Sequence, residues 1–525
     1  MNTLDWTSIT IDNNDLDLIY NRLLEKETPM TPLQLAETLI ENRIRSFKKS
    51  NDKETKKDDH YYRPGNNYKP GDEIVFPLQN EITGVVESVR DGVNPALGGF
   101  SVITVAFPDG SKKEYASGLG GHKLNNYDYE NPNQNLLDPK YVNRKYGRKI
   151  AKYIAAVLSK NDDLVRIGNF WFPQALLTDV NPGYLNLAEA VLEMAEGQPL
   201  HTEEILEQLE YPMDSNPELT IFSFNYAMQN DDRFGEVGPA NVVLWTLKEM
   251  QPEDVRKTPL TLKFNENLRT FGGEPVDDGI VFTGIQDELE EDQLIEPTDP
   301  ADSFRLTLSY PHWKAGTVPL IGSLQSIFPT ANETDNVVFT FRDKKTGETF
   351  IGWVILSKNY VCGLKPWYRS NGIIPGSIFN INRTDDPGII ELELVPPRSS
   401  KDWILTFNLD DKNHFSFVTN QHKVTTEFDE RMAIYVENSP QLDTFWEANN
   451  RKESNITRQI EMVFRELAQD NPQGIIHFNE IYAAMNMLRR IPPRLLYSIL
   501  MKENTIQRID AMYFKLVDKD EVANG

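Results

Sequence analysis

Residues able to do covalent chemistry are few and scattered in this 525-residue chain. Seven histidines, at 60, 122, 201, 312, 414, 422 and 477, lack metal-ligand spacing. The single cysteine, Cys362, lies in the apolar stretch NYVCGL and reads as a core residue rather than a nucleophile. Glu391 and Glu393 alternate along one strand and share a face, but the lysine that a nuclease metal site also needs is missing from that strand. The glycine cluster GLGGH at 118–122 follows a strand instead of opening a helix, which argues against a phosphate cradle. No G-x-S-x-G, H-E-x-x-H or G-x-x-x-x-G-K-[ST] motif occurs. The reading is a binding protein and not an enzyme, with no metal or cofactor expected.

Phosphate binding needs local positive charge, because the whole chain carries a net −25. Two places supply it. Residues 140–160, KYVNRKYGRKIAKYIAAVLSK, hold seven Lys or Arg and no acid. In a helix, Arg144, Lys145, Arg148, Lys149 and Lys152 cluster on adjacent turns, as a phosphate-contacting surface or as a solvated face. Near the C-terminus, Arg489, Arg490 and Arg494 surround a helix start, and Lys502 and Arg508 flank the next turn. That grouping predicts a phosphate clamp, with an arginine-rich solvated helix end as the alternative.

These residues must be positioned by several domains, three to five for this length. Residues 1–50 read as a helical hairpin and 51–67 as a polar linker. Short alternating runs with Pro-Gly and Asp-Gly turns over 68–130 predict a small antiparallel barrel. Its PGD entry and GVV second strand resemble the KOW-type barrels found beside nucleic-acid machinery. Residues 138–184 are the basic helix and a connector, and 271–303 an acidic linker, since residues 271–304 hold eleven acids and no Lys or Arg.

Residues 185–250 and 451–520 repeat one order of helix, short strand, helix, helix and two-stranded ribbon, the order of a winged helix. The first copy resembles the HARE-HTH family, to which the N-terminal domain of the bacterial RNA polymerase delta subunit belongs. Asn225, Asp232, Arg233, Phe234, Gly238, Trp245 and Leu247 carry the resemblance, with three extra residues between Gly238 and Trp245. It implies RNA polymerase, or another protein complex, as a partner. This copy has thirteen acids against two basic residues, and its third helix has no Lys or Arg. Thr220, Ser223, Asn225 and Gln229 on that helix are therefore expected to meet protein, not phosphate. The second copy is near charge balance.

Residues 304–450 are strand-rich and resemble the pseudobarrel shared by plant B-type transcription factors and some restriction-enzyme effector domains. That likeness would put His312, Trp313 and Lys314 on one DNA-entering arm and Lys358, Asn359 and Tyr360 on the other. The alternative is an ordinary β-domain.

The fold class expected is multidomain α+β, with two winged-helix (α/β) domains and small antiparallel β-barrels. The function expected is a bacterial-type DNA-associated regulator bridging double-stranded DNA and a protein machine. The rivals are a protein scaffold that binds no nucleic acid and a non-catalytic recognition subunit of a DNA-modification or defence complex. The N-terminus has no basic and apolar leader pattern, and no run approaches the ~18 apolar residues of a membrane span. A cytoplasmic protein without a membrane partner is expected.

Overall fold

The computed structural model describes residues 5–51, 61–79, 82–94, 97–126, 134–213, 216–273, 282–290, 294, 301–331, 334–396, 401–437, 440–451, 456–469 and 471–517. His60, most of the expected 51–67 linker and much of the 271–303 acidic tract lie outside the described residues. The chain divides into two units, Met1–Leu177 and Thr178–Gly525. No helix among the described residues is long and apolar enough to cross a membrane.

In the first unit, α1 (Asn13–Lys26) and α2 (Pro32–Asn51) form the hairpin. Asp12 and Asp15 make a capping box at the start of α1, and Arg43 of α2 reaches back to the buried Asp15 carboxylate. Strands β1 (Glu73–Phe76), β2 (Ile82–Asp91), β3 (Ser101–Ala106) and β4 (Lys112–Ser117) make an antiparallel meander. It curls over Tyr62, Ile74, Phe76, Ile103, Val105 and Phe107. Gly84 permits a close crossing there, because a Cβ would sit 2.4 Å from the Val105 side chain. Helix α3 (Pro139–Leu158) opens on an Asp138 cap and a first-turn proline, and hairpin β5 (Leu164–Ile167) and β6 (Phe170–Pro173) follows. This basic helix is the third member of a bundle with α1 and α2. Val142, Ile150, Ile154 and Leu158 of α3 share one apolar core with Ile19, Leu23, Leu35, Leu39 and Ile40.

The second unit opens with α4 (Pro182–Met194), β7 (Leu200–His201), α5 (Thr202–Gln208), α6 (Pro217–Gln229), β8 (Phe234–Glu236) and β9 (Leu244–Leu247). The sheet order β7-β9-β8 completes the winged-helix arrangement. The residues that carried the family resemblance hold this fold. Gly238 admits no side chain, since a Cβ would lie 1.9 Å from the Val242 carbonyl oxygen. Arg233 ties the turn to α4 through Asp231 and Glu189. The Asn225 side-chain oxygen accepts from Thr202 Oγ1 (2.5 Å) and Trp245 Nε1 (2.8 Å), all three residues being buried. Asn225→Ala strands two buried donors, so urea unfolding should show a loss of about 2–4 kcal/mol.

After α7 (Glu253–Arg256) come β10 (Ser303–Thr307), α8 (Tyr310–Ala315), β11 (Thr317–Pro319), α9 (Gly322–Gln325), β12 (Asn336–Asp343), β13 (Thr349–Ile355), β14 (Tyr360–Cys362), α10 (Lys365–Ser370), β15 (Ile378–Arg383) and β16 (Ile389–Leu394). The seven strands order as β10-β15-β16-β12-β13-β14-β11, antiparallel except for β12 with β16. The first winged helix is fused to this sheet rather than tethered. Val338 N–H donates to the Val237 carbonyl (2.8 Å), and Ala240 N–H to that of Thr330 (2.7 Å).

A second sheet, β17 (Lys401–Leu409), β18 (Phe415–Lys423) and β19 (Ile434–Val436), follows, and then α11 (Pro440–Arg451). Helices α12 (Ile456–Leu467), α13 (Phe478–Leu488) and α14 (Pro493–Lys502) with β20 (Ile475–His477), β21 (Ile506–Asp510) and β22 (Tyr513–Leu516) repeat the winged-helix order, strands in the order β20-β22-β21. Its core is continuous with that of β17–β19 and α11: Phe407, Ile434 and Trp446 join Ile460, Phe478 and Leu496 in one cluster. Every residue of α13 except the half-buried Glu480 is buried, as a largely apolar helix covered on all sides must be.

Candidate functional site

The C-terminal arginines are turned inward instead of forming a phosphate clamp, and the carboxylates that match Arg490 and Arg494 come from the acidic tract. Residues 282–290 are packed, not tethering: Phe282 and Ile285 enter the core, and Asp287, Glu288 and Glu290 are buried. Arg490, fully buried, meets Asp287 in a two-pronged pair (Nη1–Oδ2 2.8 Å, Nη2–Oδ1 2.5 Å) and Glu288 at 3.1 Å. Tyr482 donates to Asp287 (2.7 Å). His312 on α8 contacts Glu288 through Nε2 (2.7 Å) and Thr317 through Nδ1 (2.8 Å). Glu290 accepts the Arg494 backbone N–H (3.0 Å) and faces its Nε (3.2 Å), capping α14 where an anion would bind.

Burial alone would raise the Glu288 carboxyl. The charges of Arg490 and His312 outweigh it and hold Glu288 well below the usual carboxylate range. Arg490 is pulled down by burial but pushed further up by Asp287 and Glu288. Arg489, buried and donating to the Asn449 carbonyl, is lowered by burial to about 10 and stays charged at neutral pH.

These shifts predict two acid steps. Burial lowers His422 and His477, so the unfolded chain takes up protons first as pH drops through about 6.5, and stability falls with it. Glu288 is depressed, so its contribution is complete above the ordinary Glu value of about 4.3 and is lost as pH falls below it. Thermal unfolding across pH 3–8 should show a shallow decline and then a steep one.

The other expected contacts distribute unevenly. Lys502 and Arg508 are exposed, Lys502 lying 3.4 Å from the Phe271 and Gly272 carbonyls and Arg508 over the Tyr497 ring. The two pseudobarrel arms do not project. His312 is buried, the Trp313 indole donates to the Ile373 carbonyl (2.7 Å), and Lys314 pairs with Asp443 (2.6 Å). Tyr360 is buried with its hydroxyl on the Asp254 carbonyl, while Lys358 and Asn359 are half-buried in a turn with Asn359 at φ 53°. On α6, Thr220, Ser223 and Asn225 are buried and only Gln229 is exposed, so three of the four expected protein contacts are interior. Burial of Leu495, Leu496, Ser498 and Ile499 likewise removes most of α14 from any groove.

Burial pushes the Cys362 thiol up to about 12. Lys344, just past β12, reaches both Glu391 (3.7 Å) and Glu393 (2.9 Å), supplying across strands the lysine absent from their own strand. Among the described residues no group of three or more His, Cys, Asp or Glu could hold a metal ion.

What stands open is α3. Arg144, Lys145, Arg148, Lys149 and Lys152 are all exposed, on the side away from Ile150, Ile154 and Leu158. Among the described residues none of the five forms an ion pair. Arg144, Arg148 and Lys152 follow one another at four-residue intervals, a row of about 12 Å, beside a second row of Tyr141, Lys145 and Lys149. Lys145 lies 5.8 Å from the Tyr141 ring centre and 5.3 Å from that of Tyr146, and Lys149 lies 5.9 Å from that of Tyr153. Lys149 also donates to the Thr7 carbonyl (2.7 Å). The surface is cationic, interleaved with aromatic rings and rigidly mounted. No protein-family model, curated protein or solved structure matches the chain.

Proposed function

We propose that this chain is a non-enzymatic, DNA-associated regulatory protein that contacts phosphate through the exposed face of α3 and docks on a protein machine such as RNA polymerase. The observation that carries this reading is the row of unpaired cations on α3, within a chain of net charge −25. Measured along the duplex axis, 12 Å corresponds to about three to four phosphates of one strand, at ~3.4 Å of rise each. Of the arginines expected to share that work, Arg490 and Arg494 are taken up internally by Asp287, Glu288 and Glu290, and Arg489 is buried on the Asn449 carbonyl.

The protein half of the reading rests on the first winged helix. Its thirteen acids repel a phosphate backbone. Leu187 and Met194, seven residues apart on α4 and 51% and 72% exposed, give it a greasy strip instead.

One observation favours the rival scaffold reading, in which no nucleic acid is bound: the third helices of both winged helices are largely covered. A salt series of duplex binding by the full chain separates the two. The DNA reading expects log K to fall linearly with log salt, with a slope of roughly −3 to −5 for four or five contacts. Absence of binding at low salt would leave the scaffold.

A further inference from the structure

We propose that a cavity of about 350 Å³ in the second unit binds an organic phosphate with a planar or apolar body, the chemical class of the nucleoside monophosphates. It opens between helices α8 and α10 and the edge of the β17–β19 sheet, and its volume falls at the small end of ligand sites. The inference is independent of α3.

Its rim is basic. Lys365 and Arg369 stand one turn apart on α10, Lys423 ends β18, and Lys314 lies deeper. No carboxylate is part of the lining. Lys314 is matched by Asp443 and Lys365 feels Asp254, but among the described residues Arg369 and Lys423 have no acidic partner.

The walls are of another kind. Trp313 is held by its bond to the Ile373 carbonyl, Tyr435 is stacked on His422 at 3.8 Å, and the Tyr368 hydroxyl is fixed on the Thr317 carbonyl (2.9 Å). Aromatic walls locked in this way lose little freedom when a ligand enters. A cation would be repelled by the rim, and a neutral apolar molecule would leave its charges unmatched. Inorganic phosphate would satisfy the rim and leave the aromatic wall wet. A phosphate ester on a flat ring satisfies both.

Calorimetric titration of the full chain with AMP, adenosine and inorganic phosphate tests this. AMP should bind saturably at one site, about tenfold or more tighter than either fragment, each charge-assisted contact contributing on the order of tenfold. The double change Arg369→Gln and Lys423→Gln should raise the AMP Kd about tenfold or more while leaving Tm unchanged, both side chains being exposed. Phosphate binding as tightly as AMP, no saturable AMP binding, or an affinity indifferent to the double change would each overturn the proposal.

Discussion

Replacing Arg490 with alanine is expected to destabilise the second unit by about 3–5 kcal/mol. The loss is not the strength of one ion pair. Asp287 and Glu288 are 0% and 6% exposed, and without the guanidinium two carboxylates remain in a dry site with Tyr482 and His312 as their main company. Arg490→Lys should recover little, because an ammonium cannot reproduce the two-pronged contact with Asp287 while also reaching Glu288. Removing charge from both sides, as in Asp287→Leu with Arg490→Met, should cost less than Arg490→Ala alone, since one buried carboxylate, Glu288 beside His312, is then left without the guanidinium instead of two. Urea unfolding followed by amide hydrogen exchange in α13 and α14 reads the effect where it arises. A single-variant loss under 1 kcal/mol would mean that water reaches this site.

That same triad marks where the sequence misleads. Eleven acids without a balancing Lys or Arg in residues 271–304 look like a solvated tether, and short-range composition supports it. The balancing cations lie roughly 200 residues away, at Arg490 and Arg494, and long-range pairing leaves no trace in local charge counts. One signal was present: Phe282 and Ile285 inside the tract are apolar anchors that a tether does not need. Periodicity served better. Both winged-helix orders and the basic helix were legible, because amphipathic spacing and turn residues act locally. The residues singled out in the first copy have a role in its packing. Asn225, Gly238 and Trp245 hold the wing to the helices, so the pattern specifies a fold and is silent on what that fold grips. Coverage was not legible either. The largely apolar α14 reads alike whether it lies in a groove or beneath a neighbouring segment, and here Gly272 and Gly273 bring the chain against Ser498.

Exposure of α3 makes the functional prediction unusually clean. The triple change of Arg144, Arg148 and Lys152 to alanine removes one row of charge from side chains that contact solvent. Alanine is the best helix former, so α3 and its core residues Ile150, Ile154 and Leu158 should keep their stability. Loss of binding can then be assigned to the surface. With about 0.9 counterions released per phosphate contact, the salt slope should become shallower by roughly 2–3 units, and affinity near 0.15 M salt should fall on the order of a hundredfold. Lysine at positions 144 and 148 should preserve the slope, because the term depends on charge, not on guanidinium geometry. The comparison variant is Lys502→Ala with Arg508→Ala, which removes two exposed cations that flank the wing turn of the C-terminal winged helix. If α3 is the contact, that pair leaves the slope where it was. A slope that follows Lys502 and Arg508 and ignores α3 would transfer the interface to the wing end of the C-terminal winged helix, where both of these cations are exposed.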